Sequence, residues 1–238
     1  MPITTILYDG GGIIVNETDI EQFLAQIITS LLQERNQVYS LEQYWRDTEE
    51  AVFRFAPSTY RYVLWKNTQD VSKYERSLAA YQDAVLGQRP PLKLTAEIAP
   101  ELRRLRPYFR FAIAGQYGSE ILDLLEREEL LELFDSHVTQ DDFTLTKPDP
   151  RYFQQIAAAC GVPTPECLIV GDRIDNDVIP ARQVGMMSVR FRTGIHCRQE
   201  PRTPSEIPDA EIRSISQLAE TIFRLTLKSS TADKKLPE

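Results

Sequence analysis

A strand that ends at Asp9 is followed by a long helical stretch before any partner strand appears. Residues 3–8, ITTILY, form a short apolar and β-branched run that stops at Asp9 and three glycines. A run of that kind, bounded by a tight turn, reads as a buried strand. From Glu17 to about Gln88 the apolar residues recur at helical spacing instead. Ile20, Phe23, Leu24, Ile27, Ile28 and Leu31 mark one helix. Leu41, Tyr44 and Trp45 open a second, with Val52, Phe53 and Phe55 further on, and Tyr74, Leu78, Tyr81 and Val85 mark a third. Gly87 and the Pro90–Pro91 pair then break the pattern.

Beyond Pro91 the chain alternates. A helix around 95–106 leads to a strand at Phe109–Ala114, and a helix begins near Ser119. A short strand is expected near Ser136–Thr139 and a helix around 150–160. The strand Cys167–Val170, a helix around 176–184 and the strand Ser188–Phe191 follow. Such alternation builds right-handed strand–helix–strand units and a mostly parallel sheet. The expected fold class is therefore α/β: a three-layer core with helices on both faces of the sheet, carrying a small all-helical domain. Residues 1–16 and 89–227 form the core, 17–88 the helical domain and 228–238 a polar, frayed tail. A length of 238 residues suits one α/β core with a smaller insertion.

Ligands of such sheets bind beyond the carboxyl ends of the strands. The polar residues at those ends are few. Asp9 follows the first strand, Gly115 and Gln116 follow Phe109–Ala114, and GDRIDND (171–177) follows Cys167–Val170, bringing Asp172, Asp175 and Asp177. Lys147 lies in TLTKPDP (144–150), ahead of a helix. Crowded carboxylates repel one another unless a cation intervenes. Mg²⁺ takes one or two carboxylates together with water and substrate phosphate. An aspartate beside the metal can attack phosphorus, and Lys147 can neutralise both that aspartate and the phosphoryl group. The glycines after Asp9 let backbone N–H groups approach phosphate oxygens.

Each piece alone has a plainer reading. An aspartate after a strand is commonly a turn former or helix cap, and KPDP is a loop before a proline-initiated helix. Their order along the chain is what speaks for a shared site. ILYDGGGIIV (6–15) and KPDPRYFQQIAAACGVPTPECLIVGDRIDNDVIPARQVGM (147–186) resemble the haloacid dehalogenase (HAD) superfamily, in the phosphatase-like subgroup whose helical cap is inserted after the first core strand. The likeness spans about residues 3–225 and implies a Rossmann-like core.

The resemblance implies roles for individual residues. Asp9 would be the nucleophile and a metal ligand, Gly11 would ligate Mg²⁺ through its carbonyl, and Asp172 and Asp177 would complete the metal site. Lys147 would steady nucleophile and phosphate, with Gly10, Gly115 and Gln116 lining the phosphate pocket. The segment 17–88 would be a cap that closes over substrate and excludes water. Mg²⁺ is the implied cofactor and a small phosphorylated metabolite the implied substrate.

Three positions depart from the family's pattern. Gly11 stands where a general-acid aspartate is usual, and general acid–base help is worth about 10²–10⁴-fold in rate. Gly115 stands where a serine or threonine usually holds a phosphate oxygen, leaving Gln116 or Ser119 as substitutes. Ile13 replaces a threonine of the first motif. Two readings follow: a Mg²⁺-dependent hydrolase working through an aspartyl-phosphate at Asp9 without its usual acid, or a weakened domain that binds a phosphorylated ligand or protein partner without turnover. Relatives that cleave C–P bonds use a cap lysine as a Schiff base, for which Lys66 and Lys73 are candidates, although surface lysines are the plainer reading. Dehalogenation fits poorly with the acidic GDRIDND segment.

Composition excludes other classes. A net charge of −8 argues against nucleic acid or an anionic membrane as partner. Cys160, Cys167 and Cys197 are too few and too widely spaced for a disulfide framework. The N-terminus lacks the basic and apolar regions of a signal peptide, and no apolar run approaches the ~20 residues needed to span a bilayer. The cytoplasm is the expected compartment; oligomeric state is not legible. His137 and His196 fall in no catalytic spacing and read as structural, the cap aromatics Trp45, Phe53, Phe55, Tyr60, Tyr62 and Trp65 read as the cap's own core, and Arg190, Arg192, Arg198 and Arg202 read as a solvated face.

Overall fold

The computed structural model describes residues 2–34 and 38–232, the last five by backbone alone. It divides into two compact units: residues 1–16, 92–193 and 200–238 form the first, and 17–91 with 194–199 the second. The expected tail from Lys228 is helical through Ala232, and residues 233–238 lie outside the described residues.

The first unit is a five-stranded, all-parallel sheet. Its strands are β1 (Thr5–Tyr8), β2 (Arg110–Ile113), β3 (Cys167–Gly171), β4 (Met187–Phe191) and β5 (Ala210–Ile212). Their spatial order is β2-β1-β3-β4-β5, so β1 lies inside the sheet with β2 and β3 on either side. Tyr8 is level with Ile113 on one side and Val170 on the other. The residues that follow these three strands therefore emerge at one edge. All four residues of β1 are buried, as both faces of a parallel sheet must be covered.

The helices of the chain, in order, are α1 (Thr18–Gln33), α2 (Leu41–Phe53), α3 (Thr59–Thr68), α4 (Val71–Val85), α5 (Ile98–Leu105), α6 (Glu120–Arg127), α7 (Pro150–Ala159), α8 (Ile179–Gln183) and α9 (Leu218–Ala232). On one face of the sheet Leu7, Ala112, Ala114 and Ile169 pack against Tyr152, Phe153, Ile156 and Ala157 of α7. On the other, α5 and α9 pack together, joined by Glu101, whose carboxylate accepts the Ala219 amide at 2.7 Å. The chain leaves this unit and returns to it at adjacent points: Val15 bridges Leu94 in antiparallel fashion, and the Asn16 amide donates to the Lys93 carbonyl at 2.9 Å.

The strand expected near Ser136–Thr139 is not formed. Ser136 makes a single bridge to Ala112. The Asp135 carboxylate accepts the Phe111 amide at 2.8 Å, which ends the pairing by side-chain capping. Three elements went unread in the sequence: α3, the three-residue edge strand β5 and the C-terminal helix α9.

The second unit is helical. Ala25, Ile28 and Leu32 of α1, Tyr44 of α2, Val63 and Leu64 of α3 and Tyr81 of α4 form its core. Tyr60 stacks on Tyr81 with ring centroids 4.5 Å apart. Phe53 and Trp65, expected in this core, are instead 53% and 46% exposed. The buried Asp47 is the polar centre of the unit. It accepts hydrogen bonds from Tyr39 at 3.0 Å and from Gln43, Lys66 and Asn67 at 2.8 Å each.

Candidate active site

Asp9 leaves β1 directly into a glycine turn. The Val15 amide donates to the Gly10 carbonyl at 2.7 Å, and Gly11 bridges Val15. Gly12 has φ +71°, and a Cβ there would meet Asp172 Cγ at 3.2 Å. Only glycine fits that conformation and that space comfortably.

Asp172 leaves β3 in the same way and enters a single wide turn, Ile174–Val178, ahead of α8. The turn folds Asp177 back onto the strand end, where its carboxylate accepts the Arg173 amide at 3.0 Å. A Cβ on Gly171 would fall 2.4 Å from Asp177 Cγ, so glycine at that position is what admits the buried acid. Asp175 turns away to pair with the Arg173 guanidinium. Lys147 arrives from the loop before α7, whose start is capped by Asp149. The peptide between Lys147 and Pro148 is cis.

These segments bring their charged groups together. Lys147 Nζ lies 2.8 Å from Asp9 Oδ1 and 2.6 Å from Asp177 Oδ1. Asp9, Asp172 and Asp177 each present a carboxylate oxygen within 4.8 Å of the others. All four residues are buried. Burial by itself pushes the Lys147 ammonium towards neutrality, but the Asp177 and Asp9 carboxylates outweigh it and hold its pKa well above the ordinary lysine value. Lys147 is thus a fixed cation.

A divalent cation fits this donor set. Three buried carboxylates converge around one ammonium, and uncompensated buried charge is costly. The donors are hard oxygens, the type Mg²⁺ takes.

The second phosphate-side element is tighter than the sequence suggests. Gly115 follows β2, and a Cβ there would lie 2.5 Å from the Gly10 nitrogen and 2.8 Å from Gly10 Cα. A Cβ on Gly10 would in turn strike the Tyr117 ring at 2.7 Å. The absent serine or threonine at 115 is therefore a matter of space: the two backbones touch. Gln116 is exposed, and its side-chain amide donates to the Lys147 carbonyl at 3.2 Å. Ser119 is exposed at the start of α6. The residue the sequence reading missed is Tyr152. Its buried hydroxyl donates to the Gly115 carbonyl at 2.9 Å, and nothing in KPDPRYF marks it as polar in role.

A HAD-hydrolase-like family model matches residues 144–218, the segment that holds Lys147, Asp172 and Asp177. A glyceraldehyde 3-phosphate phosphatase of Methanopyrus kandleri is 28% identical over 193 residues, 78% of this chain and 82% of that one. A HAD phosphatase of Thermococcus onnurineus shares 25% identity with a TM-score of 0.57, covering 92% of this chain and 98% of that structure.

In sequence and in fold the chain is similar to haloacid dehalogenase (HAD) phosphatases.

Its likeness extends to a haloacid dehalogenase-like protein of unknown function from Agrobacterium tumefaciens, at 24% identity and a TM-score of 0.67 over 94% of this chain and 99% of that structure; this shows the fold. These relatives and neighbours support a hydrolase of the phosphatase class. No helix among the described residues is long and apolar enough to cross a membrane.

Lys66, the four arginines and His137 resolve as structural. Lys66 pairs with Asp47 at 2.8 Å and with Glu50, and both acids hold its pKa above the ordinary value, opposite to what a Schiff-base lysine needs. Arg190, Arg192, Arg198 and Arg202 pair with Glu211, Glu200, Glu49 and Glu206 respectively. The fully buried Arg190 also donates to the Asp172 carbonyl at 3.1 Å, so the solvated face expected for it is not what forms. His137 Nε2 lies 3.1 Å from the Phe134 carbonyl.

Proposed function

We propose that this chain is a HAD-superfamily, Mg²⁺-dependent phosphatase of small phosphorylated metabolites, working through an aspartyl-phosphate at Asp9. The observation that carries the reading is Lys147 bonded at once to Asp9 and Asp177, with Asp172 beside them. A structural ion pair needs one acid; this lysine faces two, and a third carboxylate converges on the same point.

Asp9, Asp172, Asp177 and the Gly11 carbonyl would hold the ion, which when bound offsets the negative charge of carboxylates and substrate. Lys147 holds Asp9 in a fixed orientation and stays protonated as charge builds on the phosphoryl oxygens. An Asp9 carboxylate oxygen attacks phosphorus, the bond from phosphorus to the leaving oxygen breaks, and the alcohol departs. Water then attacks phosphorus, the bond from phosphorus to Asp9 breaks, and inorganic phosphate is released. Gly11 has no proton to give, so the leaving oxygen takes its proton from water or from the substrate itself. A rate about 10²–10⁴-fold below that of a phosphatase with its acid follows from that loss. Leaving groups that need little protonation are favoured.

Three-carbon sugar phosphates are the first substrates to try, because the Methanopyrus relative bears the name glyceraldehyde 3-phosphate phosphatase. The test is Mg²⁺-dependent phosphate release from a panel of phosphate monoesters containing glyceraldehyde 3-phosphate, with Asp9→Asn alongside. Turnover that needs both Mg²⁺ and Asp9 supports the reading. Phosphate binding with no release from any ester supports the alternative, a domain that holds a phosphorylated ligand without turnover, which the bare positions 11 and 115 favour.

A further inference from the structure

The site lacks a hydroxyl at position 115 and has no room for one, since the backbones of Gly115 and Gly10 are in contact. On the phosphatase reading, the main chain beside position 115 is a remaining source of a hydrogen bond to phosphate from this loop, the Gln116 side chain being bonded to the Lys147 carbonyl. A main-chain donor works only if its peptide plane is held. Among the described residues the cis peptide is Lys147–Pro148, so the Gly115–Gln116 peptide is trans, with its C=O and N–H pointing in opposite directions. The carbonyl is fixed: Tyr152, 1% exposed on α7, donates its hydroxyl to it at 2.9 Å. The Gln116 N–H accordingly points away from the Tyr152 hydroxyl. The Tyr152 ring is held in turn, packed edge-on against Phe143 and Phe153 at 5.5 Å and 5.7 Å.

We propose that Tyr152 is a positioning residue for substrate phosphate: by anchoring the Gly115 carbonyl it aims the Gln116 N–H as the donor that stands in for the missing hydroxyl side chain. Burial raises the phenol pKa to about 12, so it remains a donor wherever the protein is folded. The Gln116 side chain ties the same loop to the lysine's segment by donating to the Lys147 carbonyl at 3.2 Å.

The inference rests on the phosphatase reading, and the test separates the two. Inorganic phosphate is titrated calorimetrically, with Mg²⁺ present, into the wild-type chain and into Tyr152→Phe, which keeps the ring and removes only the hydroxyl. Thermal melts and a Mg²⁺ titration accompany both. The expected result is phosphate affinity weakened about five- to tenfold, the scale of one lost hydrogen bond to an anion. KM for an accepted ester should rise similarly with kcat within about twofold, and Mg²⁺ affinity should be unchanged. Equal phosphate affinity in the two proteins, with or without a lower melting temperature, overturns this inference alone and leaves the hydroxyl a packing detail. A wild-type chain that binds no phosphate overturns it together with the phosphatase reading.

Discussion

The main-chain nitrogen of Gly10 lies 2.5 Å from the point where a side chain on Gly115 would begin. The turn that carries Asp9 and the turn after β2 are thus in backbone contact. Restoring the family's usual residue should harm the protein. Gly115→Ser is expected to cost about 1–3 kcal/mol of stability through overpacking and to lower phosphate release. Urea denaturation together with an activity assay checks this; a serine variant as stable as wild type and more active would refute the steric account.

Lys147 compensates two buried acids at 2.8 Å and 2.6 Å. Lys147→Met removes the cation and leaves Asp9 and Asp177 uncompensated. The expected loss is about 3–5 kcal/mol in metal-free buffer, measured by chemical denaturation, with activity abolished. Added Mg²⁺ should recover part of the stability and none of the activity.

Glu21, in α1, is raised to about 7 by burial first and by the neighbouring Glu17 second. A carboxyl whose folded pKa exceeds its unfolded value of 4.5 favours the native state most when protonated. That contribution is complete below the unfolded pKa and is lost as pH rises through about 7. Glu21→Gln should therefore be more stable than wild type above that pH, by about 1–2 kcal/mol once solvent screening of a half-buried group is allowed for, and should converge with it under acid. Melting temperatures from pH 4 to pH 8.5 give the comparison; a gap independent of pH speaks against it.

Asp47 is a second pH-sensitive point, of opposite sign. Burial alone would raise its pKa, and the hydrogen bonds from Lys66, Asn67, Gln43 and Tyr39 override that and hold it below the usual carboxylate range. Its contribution is present above the unfolded pKa and fades as pH falls through the lower folded one. Lys66→Met should destabilise the helical unit at neutral pH. Borohydride added with a carbonyl-bearing substrate should leave Lys66 unlabelled, since its ammonium stays protonated; a labelled Lys66 would revive the Schiff-base route.

Tyr8 is fully buried at the end of β1, and its hydroxyl has no hydrogen-bond partner among the described residues. Its ring packs edge-on against Phe111 and Phe134 at 5.1 Å and 6.1 Å. Tyr8→Phe keeps those contacts and removes an unsatisfied polar atom. Stability should rise by about 1 kcal/mol, measured as an upward shift in melting temperature. A loss would mean that the hydroxyl is bonded in solution.

Much of this architecture is written in local patterns. The runs ending at Asp9 and at Asp172 are apolar, short and closed by glycine or aspartate, and both became strands with their acids at the sheet edge. α3 escaped notice because its buried residues, Val63 and Leu64, are adjacent and leave no helical stripe, while Tyr60 and Trp65 blur the period. β5 escaped because it is three residues long, with Glu211 at its middle. The strand expected at Ser136 was undone by one side chain, Asp135, capping the amide a strand would have used. At the site, the identities of Asp9, Lys147, Asp172 and Asp177 were legible from order and spacing. What was not legible is contact between distant backbones: nothing local to Gly115 announces Gly10 against it, or Tyr152 beneath it.

The paired exit and return of the chain at Val15 and Leu94 has a consequence for how such a protein can be altered. Bridged antiparallel residues sit about 5 Å apart, a gap that a short turn can span. Everything between them is attached as a loop is attached, through one closed doorway. Residues 17–91, the helical part of the second unit, can be exchanged, shortened or redesigned there without cutting any strand of the sheet, so they can be rebuilt while the carboxylates and their lysine stay untouched.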